Sequence, residues 1–251
     1  MNDLLLISAL AQLLAPRSHV LIGTNAPHHM AAALLAQRTS SRRMQVTVIG
    51  AGTRSFLTDD LDEIFHCAAQ GRFDALVLGG LQIDGRANIN LVGIGEHPRM
   101  RIRSSGSHGM PLLYLMIPNV VLFRLGHAPR TMVERVEFIS APGLSPPEVY
   151  RPGGASHLLT DMALFDFDRI RGRFVLRSVH PGYTADQVVS ATGFRFDAPA
   201  EAPLTPLPRG EAAQILHDHV CEAMAGTYPA FAASLKKAAA HQLAADPAKT
   251  A

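Results

Sequence analysis

Gly106-Ser107-His108-Gly109 stands between a short basic alternation, Arg101-Ile102-Arg103, and an apolar run from Pro111 to Pro118. Two glycines around a hydroxyl and an imidazole admit two readings. One is an ordinary surface turn. The other is a backbone shaped so that amide N–H groups face an oxygen, because glycine enters φ regions that other residues avoid. In the second case the amides around Ser107 and His108 point at that oxygen. His108 adds an imidazole able to take or give a proton near neutral pH. Glycines also close three apolar runs, at Gly23-Thr24-Asn25, Gly50-Ala51-Gly52 and Gly79-Gly80-Leu81-Gln82. If those runs are parallel strands, their carboxyl ends form the edge at which open α/β sheets bind ligands.

Other chemistries lack their signatures. No Gly-x-Gly-x-x-Gly follows a strand-like run, no Walker lysine motif occurs, and there is no Gly-x-Ser-x-Gly elbow. The 12 histidines are scattered. His28 and His29 are adjacent, and His217-Asp218-His219 falls on a helical stretch where positions i and i+2 point apart. No metal site is expected. Arg101 and Arg103 share one side of an extended segment and suit a carboxylate or phosphate, or else a solvated face. Arg124, Arg130 and Arg135 carry the same two readings.

The elements that must position these residues follow from apolar patterning. The chain has 251 residues, of which 47% are hydrophobic and 18% charged, a globular composition. Its formal net charge of +2 gives no field suited to nucleic acid or a membrane surface. Cys67 and Cys221 are the only cysteines, so a disulfide framework is not expected and a reducing, cytoplasmic setting is. The run from Leu4 to Leu14 has no basic residue before it and is too short to span a bilayer, which needs roughly 20 residues. It reads as a buried helix. Strand-like runs at 19–23, 44–50 and 74–79 alternate with helical ones at 2–14, 28–37 and from an N-cap at Thr58 to Gly71. That order predicts a parallel sheet covered on both faces. Runs at 119–124, 133–139, 158–166 and 173–179 predict mixed or antiparallel strands. A short helix is expected from Thr184 to Ser190. Residues 198–208 are a proline-rich connector, residues 209–225 and 230–244 are helical, and 246–251 is a frayed tail. The expected organisation is one domain over 1–197 and a connector with a helical extension over 198–251.

The stretch Gln82-Ile-Asp84-Gly-Arg-Ala-Asn88-Ile-Asn90 followed by Gly106-Ser-His-Gly109 resembles the β (B) subunits of family I CoA-transferases, the glutaconate CoA-transferase-like group. That pattern runs Gln-Val-Asp-x-x-Gly-Asn-x-Asn and then a Gly-Ser-Gly-Gly type loop. Residues 133–143, "LLTDMALFDF" (158–167) and "VHPGYTADQVVSATGF" (179–194) match further family segments in the same order. The resemblance spans roughly residues 15–197. It implies a three-layer α/β/α fold with a mainly parallel sheet extended by mixed strands. It implies an α-subunit partner, as αβ or α2β2, and an acyl-CoA substrate, with coenzyme A entering as part of that substrate and no permanently bound cofactor.

The same resemblance implies roles. Gly106 and Gly109 shape the oxyanion loop, Ser107 and His108 are the catalytic candidates, and Asn88, Asn90, Asn25, Gly50 and Ala51 lie toward substrate. His108 replaces the family's usual glycine. Asp84 reads as the residue that holds the Asn88–Asn90 turn by bonds to backbone. The family's nucleophile is a glutamate after the second strand, which forms a glutamyl-CoA intermediate. Here "VTVIGAGTRSFLTDD" puts Ala51 at that position, and alanine forms no such adduct. Asp59, Asp60 and Glu63 follow it but read as an acidic helix start. Steroid-ring-degrading CoA hydrolases, related to this family, use a partner-subunit carboxylate to activate water and need no such glutamate. Hydrolytic or ring-opening acyl-CoA chemistry is therefore one expectation. A non-catalytic subunit that completes a partner's site is the other.

Overall fold

The computed structural model describes residues 3–50, 57–58, 60–104, 106–208 and 210–245. The elements are α1 (Asp3–Leu14), β1 (His19–Ile22), α2 (Pro27–Thr39), β2 (Gln45–Val48), α3 (Leu61–Ala69), β3 (Ala75–Leu78), β4 (Gln82–Ile83), β5 (Ile89–Asn90), β6 (Gly93–Ile94) and β7 (Ile102–Arg103). They continue with α4 (Met110–Met116), β8 (Asn119–Arg124), β9 (Ala155–Thr160), β10 (Ala163–Asp168), β11 (Arg173–Val179), α5 (Ala185–Ala191), α6 (Gly210–Ile215), α7 (Cys221–Met224) and α8 (Pro229–Ala244). The described chain forms two compact units, one of residues up to Leu61 together with those from Pro206 onward, the other of Asp62–Thr205.

In the first unit β1 and β2 pair in parallel, Val20 opposite Val46 and Ile22 opposite Val48. Every residue of β1 is buried, as a continuous apolar run in a covered parallel strand demands. Nearly all of α1 is buried too, which accounts for a helix without a polar face. Its end is pinned to α2 by His28, whose Nε2 lies 3.0 Å from Asp3 Oδ1. The helices after Pro206 pack on this same unit. The Tyr228 hydroxyl accepts the Ala26 N–H at 3.0 Å, and the Phe231 ring sits 4.6 Å from that of His28. A π-helical turn, Leu216–Val220, joins α6 to α7 and sends Leu216 and Val220 inward.

In the second unit β3 pairs in parallel with β8 and β8 with β9, while β9, β10 and β11 are antiparallel. Phe165, Phe174 and Tyr114 are fully buried, and Phe165, Phe167, Phe194 and Phe196 stack around Phe174 and one another at 4.8–6.2 Å. The α/β class with a mainly parallel sheet extended by antiparallel strands agrees with expectation.

Four local features differ from the expected pattern or add to it. Residues 158–166 are two strands, not one. Thr160 Oγ1 accepts the N–H groups of Met162 and Ala163 and folds the chain back at Asp161-Met162. The apolar run after Gly109 is the helix α4, with Pro111 in its first turn. Residues 133–139 alternate like a strand but form none. Val133 N–H still goes to a backbone oxygen, Ile83 O at 3.0 Å, but two later amides turn to side chains: Glu137 N–H to Gln82 Oε1 at 3.1 Å and Val136 N–H toward Asp84 Oδ2 at 3.5 Å. Helix α3 starts at Leu61, and Thr58 Oγ1 accepts the Asp60 N–H at 3.1 Å.

Candidate functional site

The Gln82–Asn90 motif is a hub built from its own polar side chains. β4 and β5 pair through Gln82–Asn90 and Ile83–Ile89. Between them Asp84, buried, gathers donors: Oδ1 takes the N–H of Arg86 at 3.0 Å and of Asn88 at 3.1 Å, and Oδ2 takes Asn88 Nδ2 at 3.0 Å. This is the turn-holding role read from the sequence. Asn88 Oδ1 accepts the Gly143 N–H at 3.0 Å. Asn90 is fully buried and uses all its capacity. Nδ2 donates to Gln82 Oε1 and Gly93 O, and Oδ1 accepts from Val92 and Gly93 N–H. Both amides are thus committed to this chain's own polar groups. They position the site's backbone.

The hub holds the 106–109 turn from both ends. On one side Asn90 fixes the start of the β6–β7 hairpin, which closes with Ser104 N–H on Val92 O at 2.9 Å. On the other, α4 leaves Gly109 and buries Tyr114, whose hydroxyl donates to Ala87 O at 2.9 Å. Arg151 lies over the Tyr114 ring at 5.2 Å. Between these anchors φ is +97° at Gly106, +36° at His108 and +74° at Gly109. Met110 N–H closes the turn on Ser107 O at 2.8 Å. None of the N–H groups of Gly106, Ser107, His108 and Gly109 donates to another described residue. A Cβ on Gly106 would meet open space, whereas one on Gly109 would sit 2.1 Å from Phe65 of α3. The first glycine therefore serves conformation alone, and the second serves conformation and close packing. His108 is exposed and Ser107 half-exposed, and neither side chain is hydrogen-bonded among the described residues. The structure does not join them as a pair.

The strand-end residues of the first unit form their own group. Asn25 is exposed with φ +51°, and Gly50 has φ +80°, its Cβ direction 3.4 Å from Thr24 Cγ2. Ala51 and Asp59 lie outside the described residues. In the second unit Gly80 is needed because a Cβ there would strike Ile89 at 2.4 Å.

A second polar cluster escaped the sequence reading. His127, beyond β8, has Nδ1 2.8 Å from Thr160 Oγ1 and Nε2 2.8 Å from Thr192 Oγ1. Thr192 gives its own proton to Val188 O at 2.7 Å, so His127 Nε2 must donate to it. Thr160 Oγ1 accepts two amides and has two acceptors within reach of its single proton, Ala163 O at 3.1 Å and Nδ1 at 2.8 Å. His180 repeats the pattern, Nε2 to Thr160 O at 2.9 Å and Nδ1 to Thr205 Oγ1 at 2.8 Å. Both rings are neutral. Burial lowers the pKa of His127 to about 4 and also lowers that of His180. The only sequence cue was a His just beyond each of two predicted strands and a Thr inside a third. Glu137 was likewise missed: it accepts Gly95 N–H at 2.6 Å and Gln82 Nε2 at 2.9 Å, which together hold its carboxyl below the usual range. Among the described residues no three metal-ligating side chains gather, and no helix is long and apolar enough to cross a membrane.

The segments that carried the resemblance meet here. Gly143 bonds Asn88, and Phe194 packs 3.0 Å from the Cβ direction of Gly85. A coenzyme A transferase family model matches residues 4–191. The chain is 32% identical over 139 residues to the β (B) subunit of 3-oxoadipate CoA-transferase from Pseudomonas knackmussii, a match covering 53% of each. It is 28% identical over 161 residues to the cholesterol ring-cleaving hydrolase IpdB subunit of Rhodococcus jostii, covering 62% of each. The matched stretch thus spans about half to three-fifths of those curated relatives. The crystal structure of Rhodococcus jostii IpdAB shares the fold, with a TM-score of 0.76 at 22% identity over 87% of this chain and 93% of that one. A family match over three-quarters of the sequence, on top of a turn and hub that use the motif residues, places the chain in the coenzyme A transferase family.

Proposed function

We propose that the chain is the β subunit of a heteromeric enzyme that acts on acyl-CoA thioesters, with residues 106–109 as its oxyanion-binding turn. The observation that carries this reading is the row of four amide N–H groups without acceptors among the described residues, held in a left-handed backbone by anchors on both sides. A thioester carbonyl oxygen gains charge when a nucleophile adds and loses it when the C–S bond breaks. Fixed N–H donors at that oxygen lower the barrier without reorganising. The turn lies at the chain's surface, half-exposed, which suits a site completed by an α subunit as αβ or α2β2. The relatives named as subunits support such a partner. Coenzyme A enters as part of the substrate, and the setting is cytoplasmic.

With Ala51 at the glutamate position, the chemistry is hydrolytic. A water oxygen adds to the acyl carbonyl carbon and its proton passes to a carboxylate of the partner. The C–S bond then breaks and coenzyme A leaves as the thiol. On an acyl group that carries a ring ketone beside a carbanion-stabilising carbonyl, the water oxygen adds to the ring carbonyl carbon instead. The ring C–C bond breaks, the departing carbon takes up the proton, and the thioester survives one water heavier. The relative named a ring-cleaving hydrolase subunit supports this direction. His108 is the proton donor nearest the turn.

The test is to purify the chain with its α partner and supply acyl-CoAs with and without an acceptor acid. Free CoA, or an acyl-CoA heavier by one water, formed without acceptor is expected. Acceptor-CoA formation would overturn the hydrolytic reading, and no turnover of any acyl-CoA would leave a structural subunit. His108→Ala should lower turnover more than it weakens CoA binding, and unchanged turnover removes His108 from the chemistry.

A further inference from the structure

Arg124 ends β8, opposite Thr160 of β9 in a parallel register. This is the carboxyl edge of the second unit's parallel strands, the side on which open α/β sheets bind ligands. The side chain is half-buried. Its Nε is sealed from water, and the guanidinium makes no hydrogen bond or ion pair among the described residues.

The same unit shows what a structural arginine looks like here. Arg151 is equally sunk and spends its donors on Gly153 O, Ser145 Oγ and Pro142 O. Arg169 spends its own on Ala155 O, Gly154 O and Pro118 O. Arg124 alone of the three keeps its fork idle. A buried Nε–H without an acceptor is costly, and the planar guanidinium fork matches a carboxylate or phosphate.

The surrounding charge is unbalanced as well. Asp161 and Arg130 are the charges that act on Arg124. Asp161 forms no ion pair with it and gives Oδ1 to the His127 N–H at 2.8 Å. Burial keeps His127 and His180 neutral. The charges that act on Arg124 are thus one carboxylate, already bonded to the His127 N–H, and one further guanidinium.

We propose that Arg124 is an oxyanion-binding residue of the acyl-CoA site, taking either a carboxylate of the acyl group or a phosphate of coenzyme A. The inference rests on the acyl-CoA reading above. Its test uses the complex with the α partner, in wild-type, Arg124→Met and Arg124→Lys forms. The substrates are succinyl-CoA and butyryl-CoA, with CoA and dephospho-CoA as binding probes. Arg124→Met should melt no lower than wild type, since the guanidinium makes no bond to the described residues.

It should raise KM or Kd about 10- to 100-fold for the probe bearing the recognised oxyanion, the loss expected for one charge-assisted pair. A penalty confined to succinyl-CoA assigns the acyl carboxylate. A penalty on both thioesters and on CoA, but not on dephospho-CoA, assigns the phosphate. Arg124→Lys should restore part of the loss, as a point charge replaces a fork. If the wild-type complex turns over acyl-CoA and Arg124→Met matches it on every probe, or if Arg124→Met simply melts early, this inference falls and the functional reading stands. If the wild-type complex neither binds nor turns over any acyl-CoA, both fall.

Discussion

The turn at 106–109 can be tested through two neighbouring residues whose substitutions should act in opposite directions. His108 is a non-glycine residue at φ +36°, in the left-handed region where a side chain costs about 1–2 kcal/mol. His108→Gly removes that strain. It also gives the unfolded chain more freedom, which costs about 0.4–1 kcal/mol. The exposed imidazole loses no hydrogen bond to a described residue. The net is a gain of about 0.5–1 kcal/mol. At about 2–4 °C per kcal/mol for a chain this long, Tm should rise by roughly 1–4 °C. Gly109 also has a positive φ, +74°, but its Cβ direction runs into three ring atoms of Phe65 at 2.1, 2.5 and 2.9 Å. Gly109→Ala adds left-handed strain of about 1–2 kcal/mol to an overpacking cost of about 1–3 kcal/mol as Phe65 is displaced. A loss of about 3 kcal/mol should lower Tm by about 6–12 °C. Differential scanning calorimetry of the two variants beside wild type measures both. A lower Tm for His108→Gly, or an unchanged one for Gly109→Ala, refutes the turn geometry.

Two further outcomes follow from the polar clusters. Asp84→Asn replaces an all-acceptor group facing backbone and amide donors with one that carries two donors of its own. Stability should drop by about 3 kcal/mol or more, read as a lower urea midpoint at unchanged slope. Acid should unfold the chain through its buried histidines. The folded-state pKa of His127 is lowered from 6.5 to about 4, so the unfolded state binds the extra proton first as pH falls. Its contribution is complete above pH 6.5, declines by about 1.4 kcal/mol per pH unit below that, and is gone near the folded value, about 3 kcal/mol in all. His29, lowered to about 3 by burial and then by His28, extends the decline to lower pH. Urea midpoints measured from pH 7.5 to 4 check this, and a flat profile would refute the neutral His–Thr network.

Much of the architecture was legible in local patterning. β1, β2 and β3 are apolar runs closed by glycine or followed by it, and a strand covered on both faces has to read that way. The capping box of α5, Thr184 with Gln187, is written in consecutive residues. The motif from Gln82 to Asn90 announced itself because its side chains bond within a few residues of one another. Residues 133–139 were misread because alternation reports which residues face inward, not which group takes the backbone N–H. Here Gln82 and Asp84, some fifty positions earlier, take the place of a neighbouring strand. The tertiary structure alone decided three matters: that Tyr114 would tie α4 to Ala87 and so aim the turn, that two histidines would be buried neutral around Thr160, and that Arg124 would be left without an acceptor among the described residues where Arg151 and Arg169 find theirs. Each depends on desolvation and on partners distant in the chain, and neither quantity is encoded in the spacing of residues.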